Sequence, residues 1–259
     1  MKLLYAAIML SLLCSNSCIG QQESVATASS DTKYSLYYQP IDATEAKQIE
    51  RWIQNGEADI FQFFKSNFKE SYDVYIYSDR DSLDRQWQKD WNMPTFQSEC
   101  WMVASGVAHR LDILSPRIWG TQACEHDPAD TASTKQLIIH ELVHVFHGQN
   151  NPSPTFDDTD NIDWLVEGLA VYASGQLDES RYARAQNTVI EKGAPKRLVD
   201  IWKGEHRYGY AGSLVQYIDQ QYGRDILIQL IHYNKIADVL NELNISEEVL
   251  LSDWEKSFY

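Results

Sequence analysis

Basic residues are scarce in this chain, which has 22 Lys and Arg against 37 Asp and Glu and a formal net charge of −15. Nucleic acids and anionic membranes bind to basic surfaces, so the shortage argues against both as partners. We interpret the acid excess mainly as a source of solubility, with a weak preference for neutral or basic substrates.

Long apolar runs are also missing, and the N-terminal one, at residues 3–13, is too short to span a bilayer. A lysine precedes this run and small polar residues follow it, so residues 1–20 are predicted to be a secretory signal peptide. Cleavage after Gly20 and lipidation of Cys18 as an N-terminal anchor both stay open, although residues 15–18 match a lipidation motif poorly. We expect an exported protein, either secreted, periplasmic or on the cell surface, without a transmembrane segment.

Cysteine is rare, and two of the four cysteines lie in the signal region, which leaves Cys100 and Cys124. In an exported protein such a pair is expected to form a disulfide, which would contribute about 3 kcal/mol to stability. Zinc ligation is the alternative, but neither cysteine has a CxxC neighbour.

The remaining chain divides by composition. Residues 21–32 are rich in Ser, Thr, Ala and Gln and are predicted to be a disordered leader. Residues 33–259 are long enough for one sizeable domain, and a hydrophobic content of 44% excludes general disorder.

Strands are predicted early in the domain and helices late. Aromatic and β-branched residues indicate strands at 34–38, 72–77, 101–108 and 110–114. Apolar spacing predicts a helix at 43–68, with a weak interruption at Gly56. After residue 167 the pattern is helical almost throughout. This order favours an α+β fold, with a sheet-rich lobe at about 33–132, a helical lobe at about 133–259 and a cleft between them.

The strongest chemical signal is the sequence KQLIIHELVHVFHG at residues 135–148, whose apolar spacing predicts a helix. His140 and His144 lie four residues apart, so they share one helix face and can hold one metal ion. Glu141 lies beside that face. Two imidazoles and a neighbouring carboxylate are what a zinc hydrolase requires. The alternative is a buried structural helix whose two histidines bind no metal. A third ligand is therefore needed to support the metal site.

Position 150 is Asn, which excludes the HExxHxxGxxH pattern of the metzincins. Glu167 is the next candidate, because it is the one acid inside the apolar sequence WLVEGLAVY and is costly to bury without a cationic partner. Gly168 and Ala170 are small enough to let this second helix approach the first closely. Asp163, one turn before Glu167, is the acid that we can name as a supporting residue for the ligands.

HELVH followed by WLVEGLAVY resembles the gluzincins, specifically the peptidase MA-like catalytic domains related to aminopeptidase N and leukotriene-A4 hydrolase. The resemblance implies a zincin (thermolysin-like) domain with Zn²⁺ on His140, His144 and Glu167, and with Glu141 as the general base. The 22 residues between His144 and Glu167 are four more than in the aminopeptidase type. We expect the excess to form exposed turns at 150–154 and 157–160.

Members of that family also use a tyrosine to stabilise the oxyanion, and Tyr208 is the match in this sequence, with Tyr210 as second choice. In the resembled family the strand before the metal-binding helix runs along the cleft and pairs with an extended substrate, so the resemblance implies a peptide or protein substrate. Residues 105–109 lack the GxMEN motif that grips a substrate's free amine, so an endopeptidase is expected.

Two other classes of function stay open from the sequence. One is an inactive module that keeps zinc on the same three ligands, against which the intact Glu141 argues. The other is a surface lipoprotein that binds protein or glycan through some of its 8 Trp and 15 Tyr residues, although most of these read as core by periodicity.

Overall fold

The structure, a computed structural model, describes residues 25–28 and 32–259. The predicted signal peptide at 1–20 lies outside the described residues, as does most of the predicted leader. The described part contains both a sheet and many helices, as the α+β prediction requires.

One mixed sheet has the strand order β1-β2-β3-β5-β4. Its strands are β1 Val25–Ala28, β2 Tyr34–Tyr38, β3 Tyr72–Tyr77, β4 Ala104–Val107 and β5 Arg110–Leu114. Strands β2, β3 and β5 are parallel, whereas β1 and β4 pair antiparallel to their neighbours. Strand β4 comes last in the strand order, so it is an edge of the sheet.

Strand β1 corrects part of the disorder predicted for residues 21–32. Val25–Ala28 pairs with β2, with Val25 opposite Tyr38. The Ser-, Thr-, Ala- and Gln-rich composition pointed to disorder, but the unpaired backbone groups at a sheet edge can pair with a further segment whatever its composition. Strand β4 is shorter than the predicted 101–108, and its hairpin with β5 is confirmed.

Helices make up most of the chain after β5. The helices are α1 Ala43–Phe64, α2 Arg80–Asp90, α3 Trp119–Gln122, α4 Thr131–Gly148, α5 Asp163–Ala173, α6 Glu179–Lys192, α7 Leu198–Ile201, α8 Arg207–Tyr222, α9 Arg224–Leu230, α10 Ile236–Leu243 and α11 Glu247–Lys256. Within the described ranges, none of them combines the length and the apolar character needed to cross a membrane.

Helix α1 runs unbroken through Gly56, where the sequence predicted a soft interruption. The glycine lies against α4, and a Cβ atom there would be 2.8 Å from the Leu142 side chain and 3.1 Å from that of Ile139. Its function is therefore to let α1 pack closely on the helix that carries the HELVH sequence.

Gly168 serves a different contact from the one predicted. A Cβ atom at Gly168 would lie 2.4 Å from the carbonyl oxygen of Ala211, so the glycine brings α5 against α8 rather than against α4. From the other side, a Cβ atom at Gly212 would lie 2.7 Å from the Val171 side chain. These small residues fix α5, and with it Glu167, relative to α8.

The predicted disulfide is confirmed. Cys100 and Cys124 are bonded, and the bridge joins the segment before β4 to the segment after α3. Such a bond is typical of proteins that fold outside the reducing cytosol.

The α5–α8 contact yields a stability prediction. We expect Gly168→Ala to lower the free energy of unfolding by about 2–3 kcal/mol, because the added methyl group must displace backbone rather than a flexible side chain. Gly120→Ala is the matched control, since nothing lies within 4 Å of a Cβ atom there and the residue is helical. Urea unfolding of both variants measures the difference, and equal midpoints would contradict the packing argument.

Candidate metal centre

Helix α4 places several polar side chains in the protein interior, and three of them belong to the HELVH sequence. Asp130 caps the helix by accepting a hydrogen bond from the Ser133 amide at 3.0 Å. His140, Glu141 and His144 are all buried, at 5%, 8% and 6% exposure. Burial of so many polar groups is costly unless they have partners, so the surroundings of these side chains are informative.

Glu167 on α5 reaches the two histidines. Its Oε2 atom lies 3.3 Å from Nε2 of His140 and 3.7 Å from Nε2 of His144, and the two Nε2 atoms are 3.0 Å apart. The structure thus brings together the three residues that the sequence proposed as ligands, with one donor atom from each within 4.8 Å of the others.

The donor triangle fits a divalent metal ion. Ligand atoms about 2.0–2.1 Å from a tetrahedral ion lie roughly 3.3 Å from one another, and the three observed distances bracket that value. Two imidazoles and one carboxylate are also the donor set of catalytic zinc sites, which keep a fourth position for water or substrate. The residues present could therefore hold a metal ion.

The charges within the cluster are strongly coupled. Burial would raise the pKa of Glu167, but the neighbouring His144 and hydrogen bonds from both histidines hold it well below its ordinary value. Burial would lower the pKa of His144, but Glu167 outweighs it and raises that pKa. A ligating imidazole must be neutral, so metal binding at this cluster competes with protonation of His144.

Asp163 does not support the ligating histidines as proposed. It lines the cleft one turn before Glu167, and burial followed by repulsion from Glu167 raises its pKa. In the described part of the chain, the Nδ1 atoms of His140 and His144 are buried without a hydrogen-bond partner. The usual carboxylate or carbonyl acceptor at that nitrogen is therefore absent from the described contacts.

A cavity of about 650 Å³ adjoins the cluster, and we call it the cleft. Glu141 lines it, and among the described residues no cation lies within the 4.0 Å of an ion pair with its carboxylate. All four residues of β4, which packs against α4, also line the cleft. Gly106 makes this approach possible, because a Cβ atom there would lie 2.2 Å from the Glu141 carbonyl oxygen.

The structure separates the two candidate tyrosines. Tyr208 lines the cleft, with its ring centroid 6.4 Å from that of His140. Burial, followed by the charge of Glu167, raises the pKa of Tyr208 to about 12, so the hydroxyl keeps its proton. Tyr210 packs against Trp254 and His206 and is not among the residues that line the cleft.

The linker between α4 and α5 is less exposed than its composition predicted. Asn151 and Ser153 are buried, and the Asn151 side chain donates hydrogen bonds to the carbonyls of Ile231 and Tyr233 at 2.9 Å. Phe156 adopts a φ of 60° and places its ring 6.1 Å from that of His144. The linker therefore forms one wall of the cleft, which turn-forming residues alone did not reveal.

Sequence reasoning missed further residues of the cleft. Trp101, Trp202, Arg181 and Arg207 line it from four separate segments. Each is an isolated residue in its own segment, and no spacing motif connects them, so only the fold brings them together.

The ligand set generates a metal-binding prediction. We expect Glu167→Ala to weaken zinc binding by more than about 100-fold, since changes to residues that only support a ligand already cost about 10- to 100-fold. Asp163→Ala is the control, because it removes an acid from the same helix and the same cleft without touching the donor triangle. Zinc competition titration against a chromophoric chelator measures both. Equal loss in the two variants would show a general charge effect.

Comparisons with known proteins leave the family of this chain open. No protein-family model matches it, and no curated protein does. Among solved structures, it is similar to an aminopeptidase N family protein from Idiomarina loihiensis, at 13% sequence identity and a TM-score of 0.43. That match covers 92% of this chain and 46% of the other, so the chain spans less than half the length of that protein. A likeness at this level assigns neither family nor activity.

Proposed function

We propose that this chain is an exported zinc-dependent metallopeptidase of the gluzincin type that hydrolyses peptide bonds, most simply as an endopeptidase. The observation that carries the proposal is the donor triangle of His140, His144 and Glu167 beside a carboxylate, Glu141, that faces an open cleft. A structural metal site has no need of such a cleft, because its coordination is closed by protein ligands.

Zinc, when bound, supplies a Lewis acid that polarises the scissile carbonyl and lowers the pKa of water. Glu141 then acts as the general base, because its carboxylate lies one residue from His140 and faces the same cavity. It takes a proton from the attacking water and delivers that proton to the nitrogen of the departing amine.

Tyr208 supports the oxyanion that forms when water adds to the carbonyl. Its hydroxyl remains protonated at neutral pH, since its pKa is raised to about 12, and a protonated hydroxyl can donate a hydrogen bond. The ring lies near His140, so the donor is on the metal side of the cleft.

The substrate would lie as an extended segment along β4. This strand is an edge of the sheet and lines the cleft, so its outer backbone groups are positioned to pair with a peptide. Strand β4 contains no acidic residue to grip a free amine, which favours internal cleavage over removal of N-terminal residues.

The alternative functions have less support. An inactive zinc-binding module would not need Glu141 facing the cleft. A glycan-binding surface would need exposed aromatic rings, but four of the eight Trp residues are each at most 1% exposed, namely Trp87, Trp119, Trp164 and Trp254. Export agrees with the disulfide, while the signal segment lies outside the described residues.

The role of Glu141 can be tested without disturbing the metal. We expect Glu141→Gln to keep zinc at one ion per chain and to lose turnover, because the amide has nearly the same shape but cannot accept the proton from water. Hydrolysis of a mixed peptide library, followed by mass spectrometry, and metal analysis of the same sample provide the two readouts. Cleavage at the wild-type rate by this variant would show that α4 does not carry the catalytic base.

The two tyrosines form a matched pair for the oxyanion donor. Tyr208→Phe is expected to reduce kcat by about 10²- to 10³-fold with little change in KM, since it removes one hydrogen-bond donor used in the transition state. Tyr210→Phe removes a hydroxyl on the same helix, outside the cleft, and should stay within a few-fold of wild type. Reversed results would place the donor two residues further along α8.

A further inference from the structure

The cleft contains two arginines that the structure leaves without an anionic partner. Arg181 on α6 and Arg207 on α8 both line it on the side of Tyr208. In the described part of the chain, neither guanidinium has a carboxylate within 4.0 Å. This is unexpected in a protein with 37 acidic residues.

The other half-buried arginines of the described residues are satisfied. Arg110 pairs with Asp112 at 2.8 Å, and Arg224 pairs with Asp219 at 2.5 Å. Arg80 has no carboxylate but donates to backbone carbonyls, including those of Met102 and Cys100 at 2.9 and 3.0 Å. Outside the cleft the fold thus gives these guanidinium groups carboxylate or backbone carbonyl partners, whereas Arg207 in the cleft has the Tyr208 hydroxyl, a neutral partner.

Aromatic rings hold the two unpaired arginines in place. Arg207 lies 5.1 to 5.4 Å from the ring centroids of Trp202, Tyr208 and Trp101, and Arg181 lies 5.8 Å from that of Tyr208. Trp101 follows Cys100, so the disulfide anchors the segment that carries this ring. Stacking on rings orients a guanidinium while leaving its N–H groups available for an anion.

The position of Arg181 is energetically unfavourable by itself. Burial lowers its pKa, and the charge of Asp178 compensates only in part. A smaller cavity of about 150 Å³ adjoins the cleft and shares Arg181 and Tyr208 with it. The acid that lines this cavity, Glu205, pairs with His206 at 3.0 Å instead. A carboxylate from outside would complete the site.

We propose that Arg181 and Arg207 form a subsite for a substrate carboxylate, so that the cleft selects peptides with a carboxylate close to the scissile bond. The carboxylate belongs either to an Asp or Glu side chain or to the peptide's C-terminus, and both present the planar pair of oxygens that guanidinium groups bind bidentately. This inference rests on the proposed peptidase function. It reverses, within the cleft, the preference for neutral or basic substrates that net charge suggested.

The test uses the zinc-loaded protein and two sets of matched quenched-fluorescent peptides. One set replaces Glu by Gln at each position flanking the scissile bond, and the other ends the same peptide in a free carboxylate or an amide. We expect the acid form of one set to show a kcat/KM about 10- to 100-fold higher, the range for one charge-assisted hydrogen-bonded pair. The set that responds identifies the source of the carboxylate.

Arginine variants then locate the subsite. Arg207→Gln and Arg181→Gln should each bring the acid-to-neutral ratio of kcat/KM close to one, whatever their absolute rates. Arg184→Gln is the matched control, because Arg184 is exposed, lines only the smaller cavity and bonds to Ser180 within its own helix. It should retain the full ratio. Two independent arginine variants guard against a folding defect in either one.

Direct binding separates this inference from the proposed function. Fluorescence anisotropy gives the Kd of the same acid and neutral peptides on wild-type protein and on Glu141→Gln. If no peptide is cleaved but acid peptides bind more tightly and Arg207→Gln removes the difference, the subsite stands and the peptidase proposal fails. If peptides are cleaved with equal kcat/KM in both forms, or if both arginine variants keep the preference, the subsite is wrong and the peptidase stands. Equal binding without cleavage overturns both.

Discussion

The partly buried carboxylate of Glu167 is the constraint on which the cleft depends. It lies in a helix whose neighbouring side chains, Leu165, Val166 and Leu169, are buried and apolar, so an isolated charge there would be costly. The two histidines on α4 offset this cost by holding its pKa low. The same three groups converge at distances suited to a divalent metal. One arrangement therefore both offsets the charge of Glu167 and provides the metal ligands.

Glycines at three helix and strand contacts make that convergence possible. Gly56 lets α1 pack closely on α4, Gly106 lets β4 pack closely on α4, and Gly168 lets α5 pack closely on α8. In each case a Cβ atom would meet another element at less than 3.0 Å, so a larger residue would push apart the elements that carry the cluster. Because the donor atoms must agree to within a few tenths of an ångström, close backbone packing is part of the site.

The sequence identified those features of the molecule that are encoded locally. The spacing of His140 and His144, the single acid in WLVEGLAVY and the aromatic and β-branched residues of β2 and β3 are all short patterns within one segment of the chain. The walls of the cleft are not encoded in this way. Phe156 enters through a positive φ in a loop that looked exposed, and Trp101 lies near Arg207 in a segment that a disulfide anchors. The contact of Gly168 with α8 rather than with α4 likewise could not be predicted, because it depends on how a third helix packs.

Net charge was a poor guide to the cleft for a related reason. A total of −15 describes mainly the solvated surface, where water and salt screen each charge and the acids keep the protein soluble. Inside the cleft the dielectric is lower, and the field depends on the few charges that line it. There Glu141 and Glu167 line the same cavity as Arg181 and Arg207, and both arginines lie near the ring of Tyr208. A substrate would therefore encounter an ordered arrangement of opposite charges, and its alignment against β4 would follow from that local order rather than from the overall excess of acid.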